Sequence, residues 1–308
     1  MNIGQPIAHS RITGRPAGTG ADGVFRAEDT RARRTVSLRI LTAGTGSGSG
    51  LPGRVLADAR VASGLDHPNI PSVHEILETD DALVLVLPWY DGESLRAKIA
   101  RGPMRVEAAI SIARQLAEGL ASAHAAGILH RRLHPGSLHI TADGIVKIMD
   151  FGVAELSGES GGATSSAGAA YLAPEQLRGR EVDGRTDVWA FGVILFEMLT
   201  GRLPYGGRTP ATVHHAILKE EPADPAGLRT DLPGSLASLC RSCLNKNPSG
   251  RPQSMEDVLS LLGHWPFDLA AITASDPSRV RGRHIALMVA VLVLIAGGLV
   301  FVLRSCQE

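Results

Sequence analysis

The chain has 308 residues, 44% of them apolar and 20% charged, which is enough apolar surface to bury a sizeable core and excludes a disordered chain. Its 31 basic and 31 acidic residues cancel, so no cationic excess exists to neutralise a phosphate backbone, and nucleic acid is not expected as a partner. Three cysteines, Cys240, Cys243 and Cys306, are too few for a disulfide framework.

Residues 1–90 read as strand-rich. Gly14 to Gly23 is glycine-rich and precedes Val24-Phe25-Arg26-Ala27. Thr35 to Leu41 alternates apolar and polar residues as a half-buried strand does. Gly44 to Gly50 is a flexible connector, and Arg54 to Leu65 suits a short helix. Ala82 to Leu87 is a continuous apolar run, the pattern of a strand buried on both faces.

From residue 91 onwards the pattern turns helical. Val106 to Ala126 carries a broad apolar stripe at helical spacing. Leu138 to Ile140 and Ile145 to Met149 flank Asp143-Gly144, a hairpin turn signal. Asp187 to Thr200 has no charge between its first residue and Glu197, and Gly201 supplies a helix stop, so a central buried helix is expected. Cys240 and Cys243 sit in a helical apolar setting with no second pair, and packing is the reading preferred over a zinc site.

Ile285 to Leu303 is an uncharged apolar stretch. As a helix rising ~1.5 Å per residue it spans ~28 Å, close to the thickness of a bilayer core. A buried core helix is the competing reading, but core helices seldom run so long without a polar face. Arg279, Arg281 and Arg283 precede the stretch and only Arg304 follows it. The positive-inside bias therefore expects an inner-membrane, single-pass protein with a cytoplasmic body and its C-terminus outside.

Six segments, in order, carry a resemblance. They are His67-Pro68-Asn69-Ile70, His130-Arg131-Arg132-Leu133-His134-Pro135, Asp150-Phe151-Gly152, Ala173-Pro174-Glu175, Asp187-Val188-Trp189-Ala190-Phe191-Gly192 and Asn247-Pro248-Ser249-Gly250-Arg251-Pro252. In identity and spacing, across roughly residues 12–262, the chain resembles the eukaryotic-like (Hanks-type) Ser/Thr protein kinases of bacteria. The resemblance implies an α+β, bilobal fold: a strand-rich N-lobe over 1–88, then a helical C-lobe over 89–265. A juxtamembrane linker (266–284), the transmembrane helix (285–303) and a short tail (304–308) would follow.

By the same resemblance, Glu175 pairs with Arg251, Asp187 binds the backbone of the catalytic loop, and His130 packs against Phe151. These are positioning roles. The residues expected to carry chemistry depart from the family. Phosphoryl transfer needs positioned phosphates, metal ions and a carboxylate that orients the attacking hydroxyl. The position of that carboxylate holds Arg132, which cannot accept a proton. The second metal ligand, an asparagine in active relatives, is Ser137, so Asp150 is left with one Mg²⁺ at most. The phosphate-gripping lysine is Arg39, and its helix partner, usually glutamate, is Asp58. Ala17, Thr19 and Asp22 stand where the three glycines of the phosphate-covering loop belong, although a one-residue shift would restore part of that pattern.

A nucleotide cleft, if kept, is lined by Arg39, Asp58, Leu87, Trp89, Tyr90 and His139, with Ser37 covering the base. Arg132 is expected to pair with Asp150 or to fill the metal's space. The chain is therefore read as a membrane-anchored pseudokinase that binds proteins, such as an active kinase, a phosphopeptide-binding protein or a membrane-complex partner. A weak Ser/Thr kinase, and a switch that binds ATP with one Mg²⁺ without transferring phosphate, are the alternatives. Ser157, Ser160, Thr164, Ser165 and Ser166 are read as flexible filler in preference to phospho-acceptors.

Overall fold

The computed structural model describes residues 3–14, 24–42, 64–78, 82–151, 166–263 and 265–273. Met1–Ile272 form one compact unit and Thr273–Glu308 a second. The N-terminal part of the first unit is a six-stranded antiparallel sheet: β1 (Pro6–Ile7), β2 (Ser10–Gly14), β3 (Val24–Asp29), β4 (Arg34–Thr42), β5 (Glu75–Glu78) and β6 (Ala82–Pro88), in the order β1-β2-β3-β4-β6-β5. β6 lies between β4 and β5 and is buried from Ala82 to Leu87, which is why its apolar run does not alternate. β4 does alternate. Val36, Leu38 and Ile40 join a small core with Ile12, Phe25 and Val86, while Ser37 and Arg39 face the opposite way.

The rest is mostly helical. A short sheet, β7 (Gly92–Ser94), β8 (Leu138–Thr141) and β9 (Val146–Ile148), sits beside α1 (Leu95–Ile99) and α2 (Val106–Ala125). The β8–β9 turn uses Gly144 at φ +87°, a conformation that glycine adopts without strain. Further on lie α3 (Ser166–Ala169), α4 (Pro174–Leu177), α5 (Gly184–Thr200), α6 (Pro210–Lys219), α7 (Pro225–Leu228), α8 (Gly234–Cys243), α9 (Met255–Leu262) and α10 (Leu269–Thr273).

α5 is the axis of the large core, with Trp189, Phe191 and Phe196 fully buried. Asp183 caps its start and Gly201, at φ +68°, ends it. A Cβ on Gly192 would lie 2.5 Å from the Cβ of Cys243, so this glycine lets α8 approach α5 closely. Cys240 and Cys243 are both buried there, and burial pushes both thiols up, Cys243 to about 12. They are packing residues, and no group of three or more potential metal ligands occurs among the described residues.

The bilobal architecture implied by the resemblance is thus present. Arg54 to Ser63, most of the expected short helix, lies outside the described residues, and Gly64-Leu65 is not helical. Residues 265–273, where a linker is expected from residue 266, are held on α2 and on Arg105 just before it. Arg114 donates to the carbonyls of Leu262 and Trp265 (3.0 and 2.9 Å), Arg105 to that of Ala271 (3.0 Å), and Ser111 Oγ accepts from the Asp268 amide (2.9 Å). Ala271 and Ile272 are buried as a result. The 285–303 stretch lies outside the described residues, and among those described no helix is long and apolar enough to cross a membrane.

Candidate functional site

A cleft opens where β3, β4 and the end of β6 face the β8–β9 hairpin. Val24, Ser37, Arg39, Leu87, Pro88, Trp89, Tyr90, Ser94, Gly136, His139, Met149 and Asp150 line it. Each side chain is placed by backbone logic. Ser37 and Arg39 project together because strand residues two apart share a face. Leu87 stands opposite Ser37 in the β4–β6 register and is buried.

Asp150 follows β9 with φ +67°, a left-handed conformation that a non-glycine residue holds only when its surroundings fix it. They do so on both sides. The Met149 amide donates to the Ser137 carbonyl (2.8 Å), and His130 Nε2–H donates to the Met149 carbonyl (2.9 Å). Beyond Asp150, Phe151 packs on His130 with ring centroids 5.0 Å apart and planes tilted by 54°.

The loop carrying His130, Arg131 and Arg132 is hung on α5. Asp187 accepts from the amides of His130 and Arg131 and from His124 Nε2, each at 2.8 Å. Burial raises its carboxyl, but His124, His130 and the backbone donors outweigh that and leave it below the usual carboxylate range. Arg251 donates to both oxygens of Glu175 at 2.8 Å, and Thr186 Oγ1 donates to one of them at 3.0 Å. Burial raises Glu175 as well, and the Arg251 bonds reverse it.

At the polar end of the cleft, Arg39 Nε lies 3.0 Å from Asp150 Oδ1, with both side chains largely covered. The β4 face aims Arg39 at Asp150, a partner that the loop did not suggest; Arg132, expected to pair with Asp150 or to fill the metal's space, lies near enough to feel its charge. Arg132 is half-buried nearby. Burial lowers its pKa, the Asp150 charge opposes that, and the Arg39 charge adds to it. Arginine nonetheless stays protonated, so Arg132 cannot act as a general base. Asp58, the partner expected for Arg39, and the loop at residues 15–23 lie outside the described residues.

Ser137 is buried, and its hydroxyl is committed to its own turn. It donates to the His134 carbonyl (2.8 Å) and accepts from the His134 amide (3.3 Å). Mg²⁺ demands several oxygen ligands in near-octahedral order. The described residues offer it one carboxylate already facing a guanidinium and one hydroxyl closed into its own turn, a poor ligand set for that cation.

Val24, Ser37, Leu87, Met149 and His139 line the other end of the cleft, where the resemblance expects a base. Burial lowers the His139 pKa against the opposing carbonyls of Tyr90 and Asp91. Trp89 Nε1–H donates to Asp91 Oδ1 (3.0 Å), and Arg26 sits 5.1 Å above the Trp89 ring. The Tyr90 ring receives Lys147 at 4.8 Å, and burial raises its phenol.

Two residues that sequence reasoning passed over matter here. His124, which holds Asp187, gave no signal beyond a lone histidine in the last turn of a helix. His134 caps the turn that presents Ser137, its Nδ1 accepting from the amides of Gly136 and Ser137 (2.9 and 3.1 Å). A polar residue directly before Pro135 was its signal. Burial lowers the His134 pKa to about 4, so at neutral pH it carries no charge beside Asp150. An unfolded chain takes up this proton below about 6.5 and the folded one only near 4. Its contribution to stability is therefore complete above 6.5 and lost as the pH falls. Urea titrations across that window should show a loss of roughly 2–3 kcal/mol assignable to this group. His134→Gln should flatten the slope; an unchanged slope would reject the assignment.

Comparison with known proteins places these features in a wider set. The family model for the protein kinase domain matches residues 13–261. The chain is 31% identical over 244 residues to a probable serine/threonine-protein kinase of Clostridium perfringens, covering 78% of this chain and 36% of that protein. It is 32% identical over 249 residues to serine/threonine-protein kinase PknB of Mycobacterium tuberculosis, covering 78% and 40%. It is 33% identical over 271 residues to serine/threonine-protein kinase pkn2 of Myxococcus xanthus, covering 84% and 33%. The match thus spans less than half the length of these relatives.

Proposed function

Because the chain belongs to the Hanks-type protein kinase family, we propose that it serves as a non-transferring member, a pseudokinase that engages partner proteins in signalling at the cytoplasmic face of a membrane. The observation that carries this reading is the Arg39–Asp150 ion pair, 3.0 Å long, beside Arg132. One guanidinium holds the carboxylate that would bind metal, and another stands where the acceptor hydroxyl needs a carboxylate. Positioning and charge neutralisation supply most of the catalysis of phosphoryl transfer, and among the described residues Asp150 is tied to Arg39 while position 132 holds no carboxylate to orient an acceptor. The scaffold around it is intact, as the Glu175–Arg251 and Asp187 contacts show, so a folded surface remains for protein partners.

The purified protein should transfer no labelled γ-phosphate to itself or to a generic protein substrate above the level of an Asp150→Ala control. Transfer that the control abolishes would establish the second reading, a weak Ser/Thr kinase, which the names of the relatives favour. The membrane tether rests on the uncharged run of residues 285–303 and the arginines before it. Recovery of the full chain in the soluble fraction without detergent would remove it.

A further inference from the structure

Among the described residues, the large apolar side chains left exposed are Ile3, Leu228, Leu261 and Phe267. Two of these, Leu261 (51% exposed) and Phe267 (49%), flank a single turn at the end of α9. The turn is held from within. The Trp265 amide donates to the Leu262 carbonyl (3.1 Å), and one guanidinium nitrogen of Arg114 donates to the carbonyls of both Leu262 and Trp265. Leu262 is buried in the large core and Trp265 packs against it half-buried, while Leu261, Pro266 and Phe267 stay outside. Asp268, which follows Phe267, is committed to its own helix, where Oδ1 accepts from the Ala271 amide (3.2 Å). Apolar side chains exposed singly need no explanation, but these are grouped on one fixed turn.

The place of this turn in the chain says what covers it. Residues 274–284 separate the end of the docked segment, where Ala271 and Ile272 are buried, from the uncharged run of 285–303. A chain of that length reaches at most about 40 Å. It also carries Arg279, Arg281 and Arg283, which anionic headgroups attract. With the run of 285–303 in a bilayer, the turn is kept within that reach of the lipid surface. We infer that this turn is a lipid-contacting face, Leu261 and Phe267 entering the boundary between headgroups and acyl chains, with Trp265 beside them at the depth that indole rings favour. The inference rests on the membrane-tethered reading and adds a face to it: the body lies on the bilayer by the end of α9.

The full chain, reconstituted in vesicles of phosphatidylcholine and phosphatidylglycerol with plain or brominated acyl chains, provides the test. Trp265 emission is read as the difference between the wild type and Trp265→Phe, which removes the signals of Trp89 and Trp189. Brominated lipid should quench this emission, and the double variant Leu261→Ser, Phe267→Ser should lose the quenching several-fold. Both side chains are exposed, so urea melts of that variant should match those of the wild type. Phe267→Trp in the Trp265→Phe background keeps an apolar ring on the turn and should be quenched more strongly than Trp265. The quenching should survive raised salt, because the contact is apolar. Quenching that salt abolishes would belong to the arginines and overturns the inference. Emission indifferent to bromine, in protein that stays with the vesicles through an alkaline wash, overturns it and leaves the membrane tether standing. Self-association that the double serine variant abolishes, without quenching, gives the face to a second copy of the chain instead. Protein stripped from the vesicles by the alkaline wash removes the tether itself, and the inference with it.

Discussion

Arg251→Met is expected to lower the unfolding free energy by about 3–5 kcal/mol, the cost of leaving one member of a buried ion pair uncompensated. Arg251 is buried, and so is Glu175. The guanidinium meets both carboxylate oxygens at 2.8 Å, donates to the carbonyls of Asn245 (2.7 Å) and Arg185 (2.8 Å), and lies 5.1 Å from the Trp189 ring. Methionine keeps the apolar stem and loses all of these. Glu175 then stays buried with Thr186 as its remaining side-chain donor. The double variant Glu175→Met, Arg251→Met should regain much of the loss, because it removes the stranded charge and the desolvation it suffers. The pH dependence gives a second check. Glu175 is held below its ordinary value, so its contribution is present above the unfolded value near 4.5 and lost as the pH falls through the folded one. Urea melts at pH 7 decide the matter, and a loss of less than about 1 kcal/mol would make this an ordinary surface pair.

The second large effect is on chemistry. The triple reversion Arg39→Lys, Arg132→Asp, Ser137→Asn should raise phosphate transfer above the wild-type background. Recovery of an orienting base alone is worth ~10²–10⁴-fold where the rest of the machinery is in place. Arg132→Asp by itself should do little, because Arg39 would still hold Asp150 and Ser137 would still be closed into its turn. Groups that act as a unit do not add. Ser37 and His139, where the base is expected, limit the gain. The measurement is labelled phosphate transfer by the single and triple variants side by side. Activity in Arg132→Asp equal to that of the triple variant would show that the ion pair does not restrain the site.

Much of the fold was legible because its signals are local and periodic. The apolar run of β6, the stripe of α2, the Asp143-Gly144 turn and the stop at Gly201 each follow from neighbours within a few residues. The site was legible in part. The motif residues named which positions meet in a cleft, and the identities of Arg132, Ser137 and Arg39 named what chemistry those positions lack. The Arg39–Asp150 pair was not legible: loop proximity pointed to Arg132, and it is β4 that aims Arg39 across the cleft at the same carboxylate.

What the sequence determined by itself is therefore the kind of protein and the chemical inventory of its cleft, since charge, size and hydrogen-bonding capacity belong to each side chain wherever it lies. What only the tertiary structure decided is which of those groups face one another. The Arg39–Asp150 pair, the hold of His124 on Asp187 and the docking of residues 265–273 on α2 all join segments far apart in the chain. Such contacts are set by the packing of strands and helices on one another, and a distance of 3 Å between two of them is a property of that packing, which no local pattern encodes.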